Sequence, residues 1–202
     1  KAGLGNYHSP AIASRFGEAM FSQFVGAEMV ARKYGLDKEA LDRFALQSHQ
    51  RAAAASKAGW FEREILPVAV RDASGALTED MHIVDEGIRF EATLEGIQNV
   101  KLLQEGGLIT AANASQMCDG ASGVLIVNER GLKALGVKPM ARIHSMTVVG
   151  EDPVIMLEAP IGATRKAMQR AGMSLNDIDL YEVNEAFASV PMAWLQQLGA
   201  DP

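Results

Sequence analysis

The 202-residue chain is predicted to be an α/β protein, and two patterns carry that prediction. From Thr110 onward, short apolar runs alternate with segments of helical periodicity, the sign of layered strands and helices. Before that point the chain is helical, then mixed and weakly periodic, as suits a partly extended insertion. Residues 1 to about 15 are Gly-rich and read as irregular. Phe16, Met20, Phe24, Ala27 and Val30 fall at helical spacing and predict one helix from Phe16 to Tyr34, ended by Gly35. Asp37 is placed to cap a long helix from Lys38 to about Lys57, with Leu41, Phe44, Ala45, Ser48 and Ala52 as its buried stripe and Gly59 closing it. Residues 65–71 predict a strand confined by Pro67 to an edge or a strand end. Asp72 to Gly75 is a turn, Met81 to Val84 a second short strand, and Thr93 to Leu103 a helix weakened by Gly96.

In the second half, Gly123 to Val127 predicts a buried strand, Asn128 to Leu135 a helix closed by Gly136, and Ala141 to Val149 another strand. Gly162 to Ala171 predicts a helix closed by Gly172. Ile178 to Val183 predicts a third strand, followed by a terminal helix with Ala186, Phe187, Val190, Ala193, Trp194 and Leu198 near helical spacing.

Composition narrows the function classes. Apolar residues make up 48% of the chain, enough to bury a core. A formal charge of −6 argues against a phosphate-tracking basic surface and so against nucleic acid. The densest basic cluster, Arg165, Lys166 and Arg170, reads as the solvated side of a helix. A single cysteine excludes an intrachain disulfide and suits a reducing, cytoplasmic compartment. No run approaches the about 18 apolar residues of a membrane span. The four histidines lack paired metal-ligand spacing, so no zinc is expected. Neither a Gly-x-Ser-x-Gly elbow nor a phosphate-cradling loop with Lys is present.

Chemistry concentrates at Tyr181-Glu-Val-Asn-Glu-Ala-Phe-Ala188. Asn184 and Glu185 stand at the junction of a predicted strand and helix, where open α/β sheets place their ligands. From position alone, Asn184 could equally cap the following helix, and Phe187 could be plain core filling. Cys118 has Asp119 as its neighbour rather than the His, cation or helix N-terminus that activates a thiolate, and reads as a small buried or loop residue.

The 181–188 run resembles the Asn-Glu-Ala-Phe signature of the thiolases, which make and break carbon–carbon bonds in acyl-CoA thioesters. Thr110-Ala-Ala-Asn-Ala-Ser115 with Asp119-Gly-Ala-Ser-Gly-Val124 is similar to the family's approach to a strand of its N-terminal core half. Asp152-Pro-Val-Ile-Met156 with Pro160-Ile-Gly-Ala-Thr-Arg-Lys166 resembles the opening of its C-terminal half. Ala45-Leu-Gln-Ser-His-Gln-Arg-Ala52 is similar to a helix of its inserted loop domain. These pieces occur in the family's order, over roughly residues 24 to 202.

The resemblance implies a partial thiolase-like fold, a mixed α/β loop domain plus part of a layered α/β/α core. Residues 1–117 would be the CoA-receiving loop domain, 118–138 the end of the N-terminal core half and 139–202 the start of the C-terminal half. It implies that Asn184 holds a water that helps form an oxyanion hole, with Glu185 orienting the loop. It further implies that Ser115, Ala111 and Phe187 touch pantetheine, and that Arg89 contacts CoA. The expected partners are CoA or acyl-CoA as substrate, with no separate cofactor, and further copies in a homodimer or homotetramer. The nucleophilic Cys, the Gly-His-Pro segment and the late Cys-Gly segment of the family have no counterpart in these residues, so the chain by itself is expected to be inactive. Another possibility is a non-catalytic half-length relative that binds CoA or a protein partner. Phe21-Ser-Gln-Phe-Val-Gly-Ala-Glu28 departs from the His-Met pair of short-substrate thiolases, which leaves the acyl specificity open.

Overall fold

The computed structural model describes residues 8–17, 19 and 21–201. These fall into two compact units, one of Asp37–Cys118 and one joining Lys1–Leu36 to Asp119–Pro202.

The Asp37–Cys118 unit is organised by α3 (Lys38–Lys57). The Asp37 carboxylate accepts from the Ala40 N–H at 2.8 Å and satisfies one of the orphan donors of the first turn. Leu41, Asp42, Ala45 and Ala53 form the buried face; of the expected stripe, Leu41 and Ala45 are buried while Phe44, Ser48 and Ala52 are half-buried, because Asp42 turns the buried face toward its own side of the helix. α4 (Leu94–Gln98), capped by the Thr93 hydroxyl, packs on α3 and buries Ile97. It is shorter than the helix expected over 93–103, because Leu102 leaves it to form an antiparallel bridge with Thr110. β1 (Val68–Arg71) and β2 (Leu77–His82) make an antiparallel hairpin that pairs Val68 with His82 and Ala69 with Met81. The ladder begins just after Pro67, which has no N–H to contribute. β2 runs earlier than the strand expected at Met81 to Val84. The Asp72 carboxylate ties the turn, accepting from the Ser74 N–H at 2.8 Å and its hydroxyl at 2.6 Å. These bonds hold the Asp72 carboxyl below its ordinary pKa.

In the other unit, α1 (Pro10–Phe16) forms where an irregular segment was expected, with Ser9 capping it and Pro10 at its first position, and α2 (Gln23–Lys33) covers only the later part of the helix expected over Phe16 to Tyr34. Gly17, at φ +61°, closes α1 in a conformation that takes the chain out of the helical path. Met20, one of the residues that suggested continuity, lies outside the described residues. α2 ends in a Schellman motif: the N–H groups of Gly35 and Leu36 return to the carbonyls of Arg32 and Ala31. α5 (Glu129–Leu135), α6 (Ala159–Ala171) and α7 (Ser189–Leu198) each end on a left-handed glycine. α7 packs on α2 and α6 around Val30, Ile155 and Ala193. The Trp194 indole donates to the Thr164 hydroxyl at 2.9 Å, and Ser189 donates to the Ala27 carbonyl at 3.2 Å.

The three strands expected in this unit are absent: none of the segments 123–127, 141–149 and 178–183 joins a ladder among the described residues. Val124 is 86% exposed, Val148 86% and Leu180 89%. An apolar run becomes a buried strand only when neighbours pair with its backbone and layers cover its faces. Segment 141–149 is instead held by side chains of α6. Lys166 donates to the Val148 carbonyl at 2.9 Å and Arg170 to that of Met146 at 3.0 Å. The cluster expected to be merely solvated therefore anchors a neighbouring segment. Among the described residues, no helix is long and apolar enough to cross a membrane.

Candidate functional site

The turn at 108–116 in the Asp37–Cys118 unit is built around one buried amide. Asn113, 3% exposed, accepts from the Thr110 N–H at 2.9 Å. It donates to the Leu108 carbonyl and to Asp42 Oδ1, each at 3.1 Å. The Thr110 hydroxyl accepts from the N–H groups of Ala112 and Asn113. Asp42, fully buried, is neutralised from α3 itself by Lys38, which also donates to the Gln98 carbonyl at 3.2 Å. A buried carboxylate survives only when paired and hydrogen-bonded, and here that pairing pins the turn to the helix. Ala111 and Ser115 ride on the turn with exposed side chains.

Beside this turn stands Arg89. Its guanidinium donates to Gln116 Oε1 at 3.0 Å and to the Glu86 carbonyl at 3.4 Å. Its N–H donates to His49 Nδ1 at 3.3 Å. The Gln116 amide in turn donates to the Gly87 carbonyl at 2.6 Å. The structure thus brings Arg89 and the loop of Ala111 and Ser115 together. Asp42, Asn113, His49 and Gln116 were missed as supporting residues. A carboxylate at position 42, inside an otherwise apolar stripe, was the one available signal.

In the other unit, Phe187 is buried at 2% exposure and meets Phe24 edge to face, with ring centroids 5.6 Å apart. Asn184 is exposed and lies between two anchored aromatic residues. One is Phe187; the other is Tyr181, whose ring lies 5.1 Å from Trp194 and whose hydroxyl donates to the Leu175 carbonyl at 2.7 Å. The capping alternative for Asn184 fails: α7 begins at Ser189, its N-cap is Ala188, and no side chain bonds the first turn. The core-filling reading of Phe187 holds as far as its burial goes.

Under α2, Gly26 lies so close to the Ile155 carbonyl that an added Cβ would stand 2.6 Å from the oxygen. Met156 follows at φ +43°, a left-handed conformation that is strained for a side-chain-bearing residue. At the end of α2, Tyr34 and Lys33 both bond the Glu158 carboxylate. Desolvation, then the Glu158 bond, raises the Tyr34 pKa. The bond to Glu158 raises that of Lys33. Cys118 is an exposed loop thiol, its sulfur 3.8 Å from the Gln116 carbonyl.

Two family profiles match in succession, the one described as "Thiolase, N-terminal domain" over residues 12–130 and "Thiolase, C-terminal domain" over 137–202. The chain belongs to the thiolase family. It is 48% identical over 188 residues to a steroid 3-ketoacyl-CoA thiolase of Mycobacterium tuberculosis, an overlap covering 93% of this chain and 44% of that one. It is 42% identical over 192 residues to a 3-ketoacyl-CoA thiolase of Shewanella loihica, covering 94% and 49%. The crystal structure of human mitochondrial 3-ketoacyl-CoA thiolase superposes with a TM-score of 0.81 at 40% identity, covering 88% of this chain and 44% of that one. The same human enzyme in complex with CoA gives 0.80 at 39% identity, covering 88% and 43%. The thiolase-like α/β fold is thereby established, and the chain spans about half the length of the curated thiolases it matches.

Proposed function

We propose that this chain is part of a thiolase that transfers acyl groups between CoA thioesters, by thiolytic cleavage of 3-ketoacyl-CoA or by Claisen condensation. The observation that carries the reading is Asn184, an exposed amide in the Asn-Glu-Ala-Phe run that is not consumed by a helix cap and stands in the chain between two packed aromatic residues, Tyr181 and Phe187. In this chemistry an acyl group moves onto a cysteine thiolate and is then taken by CoA or by a thioester enolate. Negative charge develops on the thioester oxygen, and an amide acting through an ordered water stabilises it there. Ala111 and Ser115 offer a small side chain and a hydroxyl for close approach of pantetheine. Arg89 supplies a cation for the phosphate-bearing end, and Phe187, buried against Phe24, is apolar packing behind the pantetheine arm in this reading. Residues 1–117 are the CoA-receiving loop domain in this reading. CoA acts as substrate, with no further cofactor, and the exposed apolar runs of the other unit support self-association. The single, exposed cysteine fits a reducing, cytoplasmic compartment. The 202 residues by themselves carry the oxyanion and CoA-contacting groups without an activated thiolate, and are expected not to turn over thioesters.

The test is Asn184→Ala in the thiolase polypeptide that carries these residues together with the nucleophile. Loss of an oxyanion donor lowers kcat by about 10²–10³-fold, with KM for CoA little changed. A kcat within threefold of the unsubstituted enzyme would remove Asn184 from the chemistry. Thiolysis at ordinary rates by the purified 202-residue chain would show that the division of roles is wrong.

A further inference from the structure

We propose that Gln116 is a positioning residue for CoA capture, its side-chain amide locking the Arg89 guanidinium beside Ser115 so that the cation meets the phosphate-bearing end of the ligand. The proposal rests on the reading of Arg89 and Ser115 as CoA contacts. Its own ground is the double use of one amide: Gln116 Oε1 accepts from Arg89 at 3.0 Å while Nε2 donates to the Gly87 carbonyl at 2.6 Å. With both ends engaged the amide cannot rotate, so the position of its oxygen is set by the main chain of residue 87.

Arg89 is held from two further directions. Its N–H bonds His49 on α3, its other guanidinium nitrogen bonds the Glu86 carbonyl, and Gly87 is itself fixed through the Asp85 carboxylate at 2.8 Å. The bonds to Gln116 and Glu86 engage two of the five guanidinium donors, and a planar fork held in one orientation is suited to a phosphate. Arg89, Gln116 and Ser115 are all exposed. Hydrogen bonds among exposed groups contribute little to stability, so the arrangement acts on orientation: an arginine already ordered loses less side-chain entropy when a ligand binds.

The experiment measures calorimetric binding of CoA, and of phosphate-free pantetheine, to the 202-residue chain and its variants. Gln116→Ala is expected to weaken CoA binding by about tenfold, on the scale of one charged hydrogen bond, while pantetheine binding and the melting temperature stay put. Gln116→Glu keeps a strong acceptor for Arg89 but loses the donor to Gly87 and neutralises the cation, so it too should bind CoA less well. In an Arg89→Ala background, Gln116→Ala should cause no further loss. CoA binding by Gln116→Ala within twofold of the parent overturns the proposal and leaves the CoA-contact reading standing. So does an equal loss for pantetheine, or a full additional loss in the Arg89→Ala background. If the parent chain binds no CoA at all, both fall together.

Discussion

Removing the Asn113 side chain should loosen the turn that carries Ala111 and Ser115 far more than the loss of a single polar residue suggests. Asn113→Ala deletes the acceptor of the fully buried Thr110 N–H, a donor to the Leu108 carbonyl and a donor to the fully buried Asp42 carboxylate. A neutral hydrogen bond contributes about 1 kcal/mol and one to a charged group about 1.5–3, and buried partners left unsatisfied carry the larger penalty. Lys38 still neutralises Asp42, so the charge is not stranded, and the sum comes to about 3 kcal/mol. Two compact units make a single two-state melt an unsafe readout. Amide exchange at Thr110 reports the loss directly: 3 kcal/mol lowers protection by roughly 100-fold where exchange follows opening of the unit. Asn113→Asp serves as the control. It keeps an acceptor for Thr110 but sets a carboxylate against Asp42 at neutral pH, and should be at least as damaging there. Protection at Thr110 within threefold of the parent for Asn113→Ala would refute the argument. A fully protected Asn113→Asp at pH 7 would refute it as well.

Two further outcomes follow from local geometry. Gly26→Ala gains about 1 kcal/mol of helix propensity but drives a Cβ to 2.6 Å from the Ile155 main-chain oxygen. Overpacking of about 1–3 kcal/mol should win, so the variant melts lower; an unchanged or higher melting temperature would mean that α2 shifts freely. Asp177 closes a capping box with Ser174, whose N–H and then hydroxyl, each at 2.8 Å, hold its carboxyl below the ordinary value. Its contribution is therefore present above about pH 4, the unfolded value, and is lost as pH falls through the depressed folded value. An NMR titration should show Ser174→Ala moving the Asp177 midpoint up, and an unmoved midpoint would assign the shift elsewhere.

What the sequence disclosed follows the range of the interaction that makes each feature. Asp37 as a cap, Gly136 and Gly172 as helix stops and the Asp72 turn are decided within a few residues, and all four are found. The helix over 16–34 was misread because apolar spacing ran on across Gly17, while the φ of one glycine decided the break. Segments 123–127, 141–149 and 178–183 keep the strand-like composition that suggested them. A ladder, however, belongs to two segments at once, and composition describes only one. The Asp42–Asn113 bond joins positions 71 apart and was invisible for the same reason. Only the anomaly of a carboxylate one residue after Leu41 on a buried face hinted at it.

At Asn184 the structure removes the bland alternative that the sequence left open. Near a predicted helix start, an Asn has a ready explanation in the four orphan N–H groups. That explanation requires the helix to begin one residue later, and α7 begins five residues later, at Ser189. The first turn goes without a side-chain cap. The anchored residues are its neighbours in the chain: Phe187 meets Phe24, and Tyr181 packs on Trp194 and donates to the Leu175 carbonyl. Under the proposed reading, an amide with no helix cap to satisfy keeps its donors for a water and an oxyanion, and the Asn184→Ala variant tests that directly.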